Sequence, residues 1–188
     1  VRWQFRGGLP EADRKAFLFT CVTDGRGRDY DIPVVIGALA ANRDIYCIGM
    51  GASVEEIPAK WDHALANPIP PRRVNEAPCQ ELVIEGDDLR GDGKGLEALP
   101  IPISTPGFDS APTLTATNCI TKDPETGVQN MGTYRAALKA SDRLVVRMAT
   151  RVGGAGGYVH YRKCRAAGEK LPCAIVLGCP PYVAFMGP

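Results

Sequence analysis

Apolar and polar positions alternate regularly in Leu144–Arg151, where Leu144, Val146 and Met148 are interleaved with Val145, Arg147, Ala149 and Arg151. Successive side chains of an extended chain point to opposite faces. This run therefore predicts a strand that packs one face and offers Arg147 and Arg151 on the other. A second apolar run, Cys173–Leu177, predicts another strand. Between them, Gly153-Gly154-Ala155-Gly156-Gly157 predicts a turn whose backbone can approach a ligand closely, with a helix starting near Tyr158. Upstream, Thr113–Thr121 and Val128–Ala136 predict the arms of a hairpin around the turn signal Asp123-Pro124-Glu125-Thr126-Gly127.

The N-terminal half reads as α/β. After a polar lead-in, Ala16–Thr23 predicts a strand and Asp24-Gly25-Arg26-Gly27 a tight turn. Pro33, followed by VVIGALAAN, predicts a short helix with proline in its first turn. Ser53-Val54-Glu55-Glu56 has the spacing of a capping box. The helix it starts should run towards Leu65, with Trp61 and Leu65 on its buried face and His63 exposed. The proline-rich segment Asn67–Arg73 ends that helix as a stiff connector. Cys79–Glu85 predicts a strand, Leu96–Asp109 an irregular but packed stretch. The polar residues Gly86–Gly95 mark a boundary between an N-terminal portion, 1–90, and a second portion, 91–188.

Composition narrows the class. The 188 residues, 45% of them hydrophobic, suffice for one ordinary domain or two small ones with a sizeable core. A formal net charge of +1 gives no electrostatic reason to expect nucleic acid or an anionic membrane as partner. No apolar stretch reaches transmembrane length and Val1-Arg2-Trp3 does not open a signal peptide. A start without methionine is not expected to be the natural one. The seven cysteines are odd in number and lack CxxC spacing. Those inside apolar runs, such as Cys47 and Cys173, are expected to be buried thiols in a reducing, cytoplasmic setting, with no disulfide.

Arg135, Arg147 and Arg151 lie among these elements. Guanidinium groups fixed on a strand, beside free N–H groups at a helix start, would make an anion site suited to a phosphate-bearing ligand. Arg135 and Arg147 are then expected close together, facing a cavity beside the Gly153–Gly157 turn. Paired arginines also mark solvated strand faces, and glycine runs also mark plain turns. The pattern alone leaves both readings open.

Three motifs bear on that choice. ITKDPETGVQNMGTYR, RLVVRMATRVGGAGGY and EKLPCAIVLGCPP, preceded by LPIPISTPGFD, resemble the UbiD family of decarboxylases over roughly Leu96–Pro181. The resemblance implies prenylated FMN with a divalent metal, usually Mn2+, and often K+. It implies reversible, non-oxidative removal of CO2 from a small aromatic or α,β-unsaturated carboxylic acid. The modified flavin acts as the electron sink and an acidic group protonates the carbon. Asn130 matches the family's metal ligand, and an amide oxygen suits a hard ion. Arg135 matches the motif arginine, the candidate catalytic residue, which would hold a substrate carboxylate within a charged network. Thr133, Tyr134 and Arg135, then Arg147, Met148 and Ala149, then Val152 and Gly153 match cofactor-contacting positions, Arg147 being best suited to phosphate. The implied fold is α+β, a small N-terminal α/β portion joined to a split β-barrel of the flavin-reductase, FMN-binding type, incomplete at Pro188.

Two departures matter. Some members carry a histidine ligand near the position of Gly153, and His160, seven residues on, is not given that role. The family's metal-binding glutamate and acidic proton donor are expected beyond the GxPP motif, past Pro188, and Glu169 is a poor substitute. The chain is therefore expected to be part of an enzyme. Its expected partners are the remaining part of that enzyme or further copies in a homo-oligomer. The alternative is a non-catalytic cofactor-binding or assembly subunit of a larger (de)carboxylase complex.

Overall fold

The computed structural model describes residues 8–103 and 105–187. The start of the polar lead-in, and Ser104 within the packed irregular stretch, lie outside the described residues.

The N-terminal portion is a set of short ribbons and two helices. Strands β1 (Phe17–Phe19) and β2 (Val22–Thr23) precede β3 (Asp29–Tyr30) and β4 (Val34–Ile36). β1 pairs antiparallel with β4, and β2 with β3 around the Asp24–Gly27 turn. Ala16–Thr23 is thus two strands in two ribbons. The helix expected after Pro33 is absent: Val34, Val35 and Ile36 are all β-branched and form β4. Helix α1 (Arg43–Met50) begins only where Asn42 caps it, its side chain accepting from Ile45 N at 2.8 Å. Helix α2 (Ile57–Ala66) follows, and Glu56 reaches back to accept from Ser53 N at 2.9 Å. His63 is exposed, but so is Leu65, at 67%, while Trp61 is half-buried and donates to the Tyr46 hydroxyl at 3.4 Å. Cys79–Glu85 is not a strand. Pro78–Gln80 forms a single 3-10 turn, and Leu82 and Val83 stand exposed without a ladder partner among the described residues.

The second portion holds two three-stranded antiparallel sheets. Strands β5 (Thr113–Leu114), β6 (Asn118–Lys122), β7 (Gln129–Thr133), β8 (Ala136–Ala140) and β9 (Arg143–Val146) precede α3 (Gly156–Ala166), β10 (Cys173–Val176) and α4 (Pro181–Ala184). One sheet has the order β10-β6-β7, the other β5-β8-β9. Both arms of the expected hairpin are broken, since the chain changes sheet at Thr115–Thr117 and again at Tyr134–Arg135. Such corners let strands turn from one layer into the next. The Thr117 hydroxyl donates to the Tyr134 carbonyl and ties the two corners together. Thr117, Cys119 and Ala136 are fully buried there. The result is a mixed α/β arrangement of small sheets with no closed barrel among the described residues.

Helix α3 covers one face of the β10-β6-β7 sheet. Its His160 Nδ1 lies 2.9 Å from Thr121 Oγ1, and Lys163 Nζ reaches Asp123 and Glu125 of the hairpin turn, both at 2.7 Å. The opposite face meets the C-terminal segment, where Thr133 N donates to Gly187 O at 3.0 Å. That segment also leans on α1: the Tyr46 and Phe185 rings are 4.5 Å apart, and a Cβ at Gly49 would lie 2.9 Å from Pro181 Cβ.

Candidate functional site

The sequence-predicted site residues gather where β7 ends and α3 begins. Asn130 stands opposite Thr121, and Gly132 opposite Cys119. Alternation turns both towards α3, the side on which Thr121 meets His160. Tyr134, two positions further on, folds its hydroxyl back over Gly132, where a side chain would collide with it. That hydroxyl accepts from Gly157 N at 3.2 Å and from Asn130 Nδ2 at 3.5 Å. Asn130 Oδ1 rests against Gly156, where a Cβ would overlap it. A Cβ at Gly157 would come 3.1 Å from Tyr134 Cε2 and 3.3 Å from Met148 Sδ. Asn130, Tyr134 and Met148 are thereby packed around the first turn of α3. The Gly157 N–H is taken up by Tyr134, so this part of the helix start is not the free donor expected for an anion.

Arg135 and Arg147 are brought together by register. Ala136 pairs with Val146, and one step beyond, Arg147 N donates to Arg135 O at 2.9 Å. Residues directly opposite on antiparallel strands share a face. Both arginines are exposed, and with Arg151 they enter no ion pair among the described residues. Arginines at adjacent backbone positions without a counter-ion suit an anion, but both side chains are exposed and neither lines the large cavity. The expected alternation holds: Leu144, Val146 and Met148 are half-buried, while Val145, Arg147 and Ala149 are exposed.

The glycine run forms a tight turn. Val152, Gly153 and Gly154 have φ of 51°, 85° and 86°. Left-handed backbone at a β-branched residue is strained, and Val152 is also fully exposed. Gly154 N donates to Arg151 O at 3.0 Å and Ala155 N to Ala149 O at 2.9 Å. Ala149 therefore closes the turn through its carbonyl. Thr133 falls elsewhere. It lies opposite Asn118, on the face away from α3, and a Cβ at Gly187 would meet both side chains.

Electrostatics near the helix are dominated by one carboxylate. The Lys163 ammonium, then the Glu125 N–H, hold Asp123 down to about 2 from its usual 3.8. Asp123, and then Glu125, push Lys163 upward in turn. Desolvation raises the Cys119 thiol, and it raises Cys173 as well, helped by the neighbouring Cys119. Cys173 is exposed as a residue, against the expectation of burial. Its thiol nevertheless interacts with that of buried Cys119. All seven cysteines are free.

The two unpaired guanidinium groups suit a phosphate, and the amide oxygen Asn130 Oδ1 accepts no hydrogen bond among the described residues. These residues contain no group of three or more His, Cys, Asp or Glu side chains able to hold a metal ion. A cavity of about 880 Å3 lies between β1, β4 and the proline-rich stretch Leu99–Pro112, but no predicted site residue lines it. Sequence reasoning missed Gly132, and it read Gly156 and Gly157 as room for a ligand where the structure gives that room to Asn130, Tyr134 and Met148. Their signal is the even spacing from Asn130 to Tyr134 and the paired glycines opening α3.

Residues 72–188 match the family model for UbiD, the 3-octaprenyl-4-hydroxybenzoate carboxy-lyase Rift-related domain, and the chain belongs to this family. Among solved structures it is similar to the UbiD-class enzyme HmfF from Pelotomaculum thermopropionicum in complex with FMN. That likeness has a TM-score of 0.70 and 33% identity, over 82% of this chain and 33% of that one. An evolved dimeric form of HmfF in complex with prFMN gives 0.69 and 34%, over 82% and 34%. The apo 3,4-dihydroxybenzoic acid decarboxylase of Enterobacter cloacae gives 0.67 and 28%, over 79% and 30%. The chain thus spans about a third of the length of these relatives.

Proposed function

We propose that the chain contributes the cofactor-holding part of an enzyme catalysing reversible, non-oxidative decarboxylation of an aromatic or α,β-unsaturated carboxylic acid. Prenylated FMN with Mn2+ or another divalent metal, and K+, are its proposed cofactors. When bound, the prenylated flavin supplies an electron sink for the charge left as CO2 departs. The observation that supports this reading is the meeting of the first two family motifs at one corner, where Asn130 Oδ1 and the Arg135 and Arg147 side chains have no partner among the described residues.

In this reading Asn130 Oδ1 is a metal ligand and Arg147 binds the cofactor phosphate. Arg135 is the catalytic arginine, orienting the substrate carboxylate beside its charge. Thr133, Tyr134, Met148, Ala149, Val152 and Gly153 line the cofactor. The two sheets and their corners are parts of a split barrel within residues 91–188, and residues 1–90 are the N-terminal α/β portion. Free thiols support a reducing, cytoplasmic setting. A small carboxylic acid, the rest of the same enzyme and further copies are the proposed partners.

The second reading, a non-catalytic cofactor-binding or assembly subunit, draws on the lack of an acidic cluster among the described residues. Intact mass of the source protein separates the two: a mass far above 20.1 kDa favours the enzyme.

The test of the site is substitution in the intact protein, read by metal analysis, flavin absorbance and melting. Asn130→Ala should lose manganese and flavin together with an unchanged melting curve. Arg147→Ala should weaken flavin retention directly, by about 1.5–3 kcal/mol, the worth of a charge-assisted hydrogen bond. Full manganese and flavin in Asn130→Ala would refute the ligand role.

A further inference from the structure

We infer that the cavity between the N-terminal ribbons and the proline-rich stretch binds an amphipathic organic anion, an aliphatic chain ending in a carboxylate, with Lys139 and Arg26 as its charge partners. The cavity has a volume of about 880 Å3. Small-molecule sites commonly span about 300–1,000 Å3. It shares no residue with the corner of Asn130, Arg135 and Arg147, and the inference stands independently of the function proposed there.

The walls are apolar. Phe19 of β1 and Val34 and Ile36 of β4 line the cavity together with Ile101, Ile103 and Leu138. The proline-rich stretch is fastened in place, since Thr113 N donates to Pro102 O at 3.0 Å and Leu138 N to Pro112 O at 2.8 Å. Phe19, Ile36 and Ile103 nonetheless stay 39%, 37% and 47% exposed, so the walls are formed but not filled. Concave apolar surface left in this way favours an apolar occupant. The lining holds two rings, Phe19 and Tyr30, and its apolar part is otherwise aliphatic, a match for an alkyl chain.

Charge then selects the head group. Asp24, Arg26, Arg28, Glu97 and Lys139 are the charged residues of the lining, and three of them are already engaged. Asp24 Oδ1 accepts from Arg26 N at 2.8 Å and Arg28 N at 2.9 Å, and its Oδ2 from the Tyr30 hydroxyl at 3.2 Å. Glu97 Oε2 accepts from Gly93 N at 3.1 Å, and the Arg28 guanidinium pairs with Asp92 at 3.1 Å. The Arg26 and Lys139 side chains enter no ion pair among the described residues. Two cations are thus left without a counter-charge, and each carboxylate of the lining has its donors. Lys139 owes its place to a β-bulge: Leu138 opposes Leu144 and Ala140 opposes Arg143, so Lys139 is the extra residue. Plain alternation would send Leu138 and Lys139 to opposite faces, whereas the bulge lets both line the cavity.

The experiment titrates octanoate, 1-octanol and octylammonium into the intact protein by calorimetry, with flavin absorbance and a melting curve for each variant. Octanoate should bind tightest of the three. Lys139→Gln and Arg26→Gln should each weaken octanoate about two- to fivefold, the range of a solvent-exposed ion pair, and leave 1-octanol unchanged. Ile101→Trp should weaken octanoate and 1-octanol alike, about tenfold or more, because the larger ring takes up the space. Flavin absorbance should stay at the wild-type level in Lys139→Gln. No octanoate binding to the intact protein would overturn the inference and mean that other protein covers these walls. Octylammonium binding as tightly as octanoate, or octanoate indifferent to both charge variants, would overturn it too. So would octanoate binding lost in Arg147→Ala but kept in Lys139→Gln and Ile101→Trp, which would place the anion at the other corner. Should Ile101→Trp not fold, the two charge variants decide, since both side chains are exposed.

Discussion

The close contact between Asn130 and the first residue of α3 makes Gly156→Ala an informative perturbation. Gly156 does not adopt a left-handed φ, so its backbone alone would accept alanine. Space is what forbids it. The added Cβ would overlap Asn130 Oδ1, approach Asn130 Cγ to 2.5 Å and Nδ2 to 3.1 Å. Forcing a methyl group into a packed contact costs about 1–3 kcal/mol. Against this, alanine in place of glycine inside a helix gains up to about 1 kcal/mol, and less at its first residue. The net expectation is a destabilisation of about 1–2 kcal/mol, a fall in Tm of about 2–8 °C for a chain of this size. Gly25→Ala is the control, since a Cβ there meets nothing within 4 Å and its φ is not left-handed. It should leave Tm unchanged or raise it slightly. The assay is thermal melting of both variants, with manganese content measured alongside. On the proposed ligand role of Asn130, Gly156→Ala should also displace Asn130 and lower manganese retention. A variant as stable as the wild type, with full manganese, would refute the reasoning that α3 is pressed onto Asn130.

Two further outcomes follow from charge and exposure. Because the folded state holds Asp123 at about 2 against an ordinary 3.8, its ion pair stabilises the protein fully above the upper value. That contribution is lost as pH falls towards the lower one. Asp123→Asn should therefore shrink the loss of Tm across this acid window, and an identical acid slope in both proteins would contradict the assignment. Thiol titration should count seven cysteines in denatured protein. In the folded protein Cys21 and Cys79 should react first, and Cys173 more slowly because its thiol is raised. Buried Cys119 and Cys164 should react last. Fast modification of Cys119 would count against the packed corner.

Where sequence and structure agree, a local rule and a tertiary need coincide. Leu144–Met148 alternates because one side of β9 packs, and Asp123–Gly127 turns because Asp123 Oδ1 accepts from the Glu125 and Thr126 N–H groups. Where they part, tertiary pairing outweighs the local signal. Pro33 suggests a helix start, yet Val34–Ile36 finds a partner in Phe17–Phe19. Leu82–Ile84 has strand propensity and no partner among the described residues, so it forms no ladder. Glycine is the hardest residue to read. Gly153 and Gly154 serve a left-handed turn, whereas Gly132, Gly156 and Gly157 serve close approach. The letter is the same, and only the neighbours distinguish the two uses.

The end of β7 also explains how one short motif reaches several groups at once. Alternation directs Asn130 and Gly132 towards α3 and Thr133 towards Asn118 and Gly187 on the far face. The chain then turns the corner at Tyr134, whose carbonyl accepts from Thr117, and Arg135 leaves with the second sheet to meet Arg147. Asn130 and Arg135, five positions apart, are thus carried by different sheets, each with its own support. Inserting or deleting one residue between them would turn every later side chain to the wrong face. The spacing is therefore fixed by the geometry of the corner as much as by the chemistry of the residues it carries. For the same reason, changes at Gly132 or Thr117, neither of them a proposed site residue, would act on this corner by moving Tyr134.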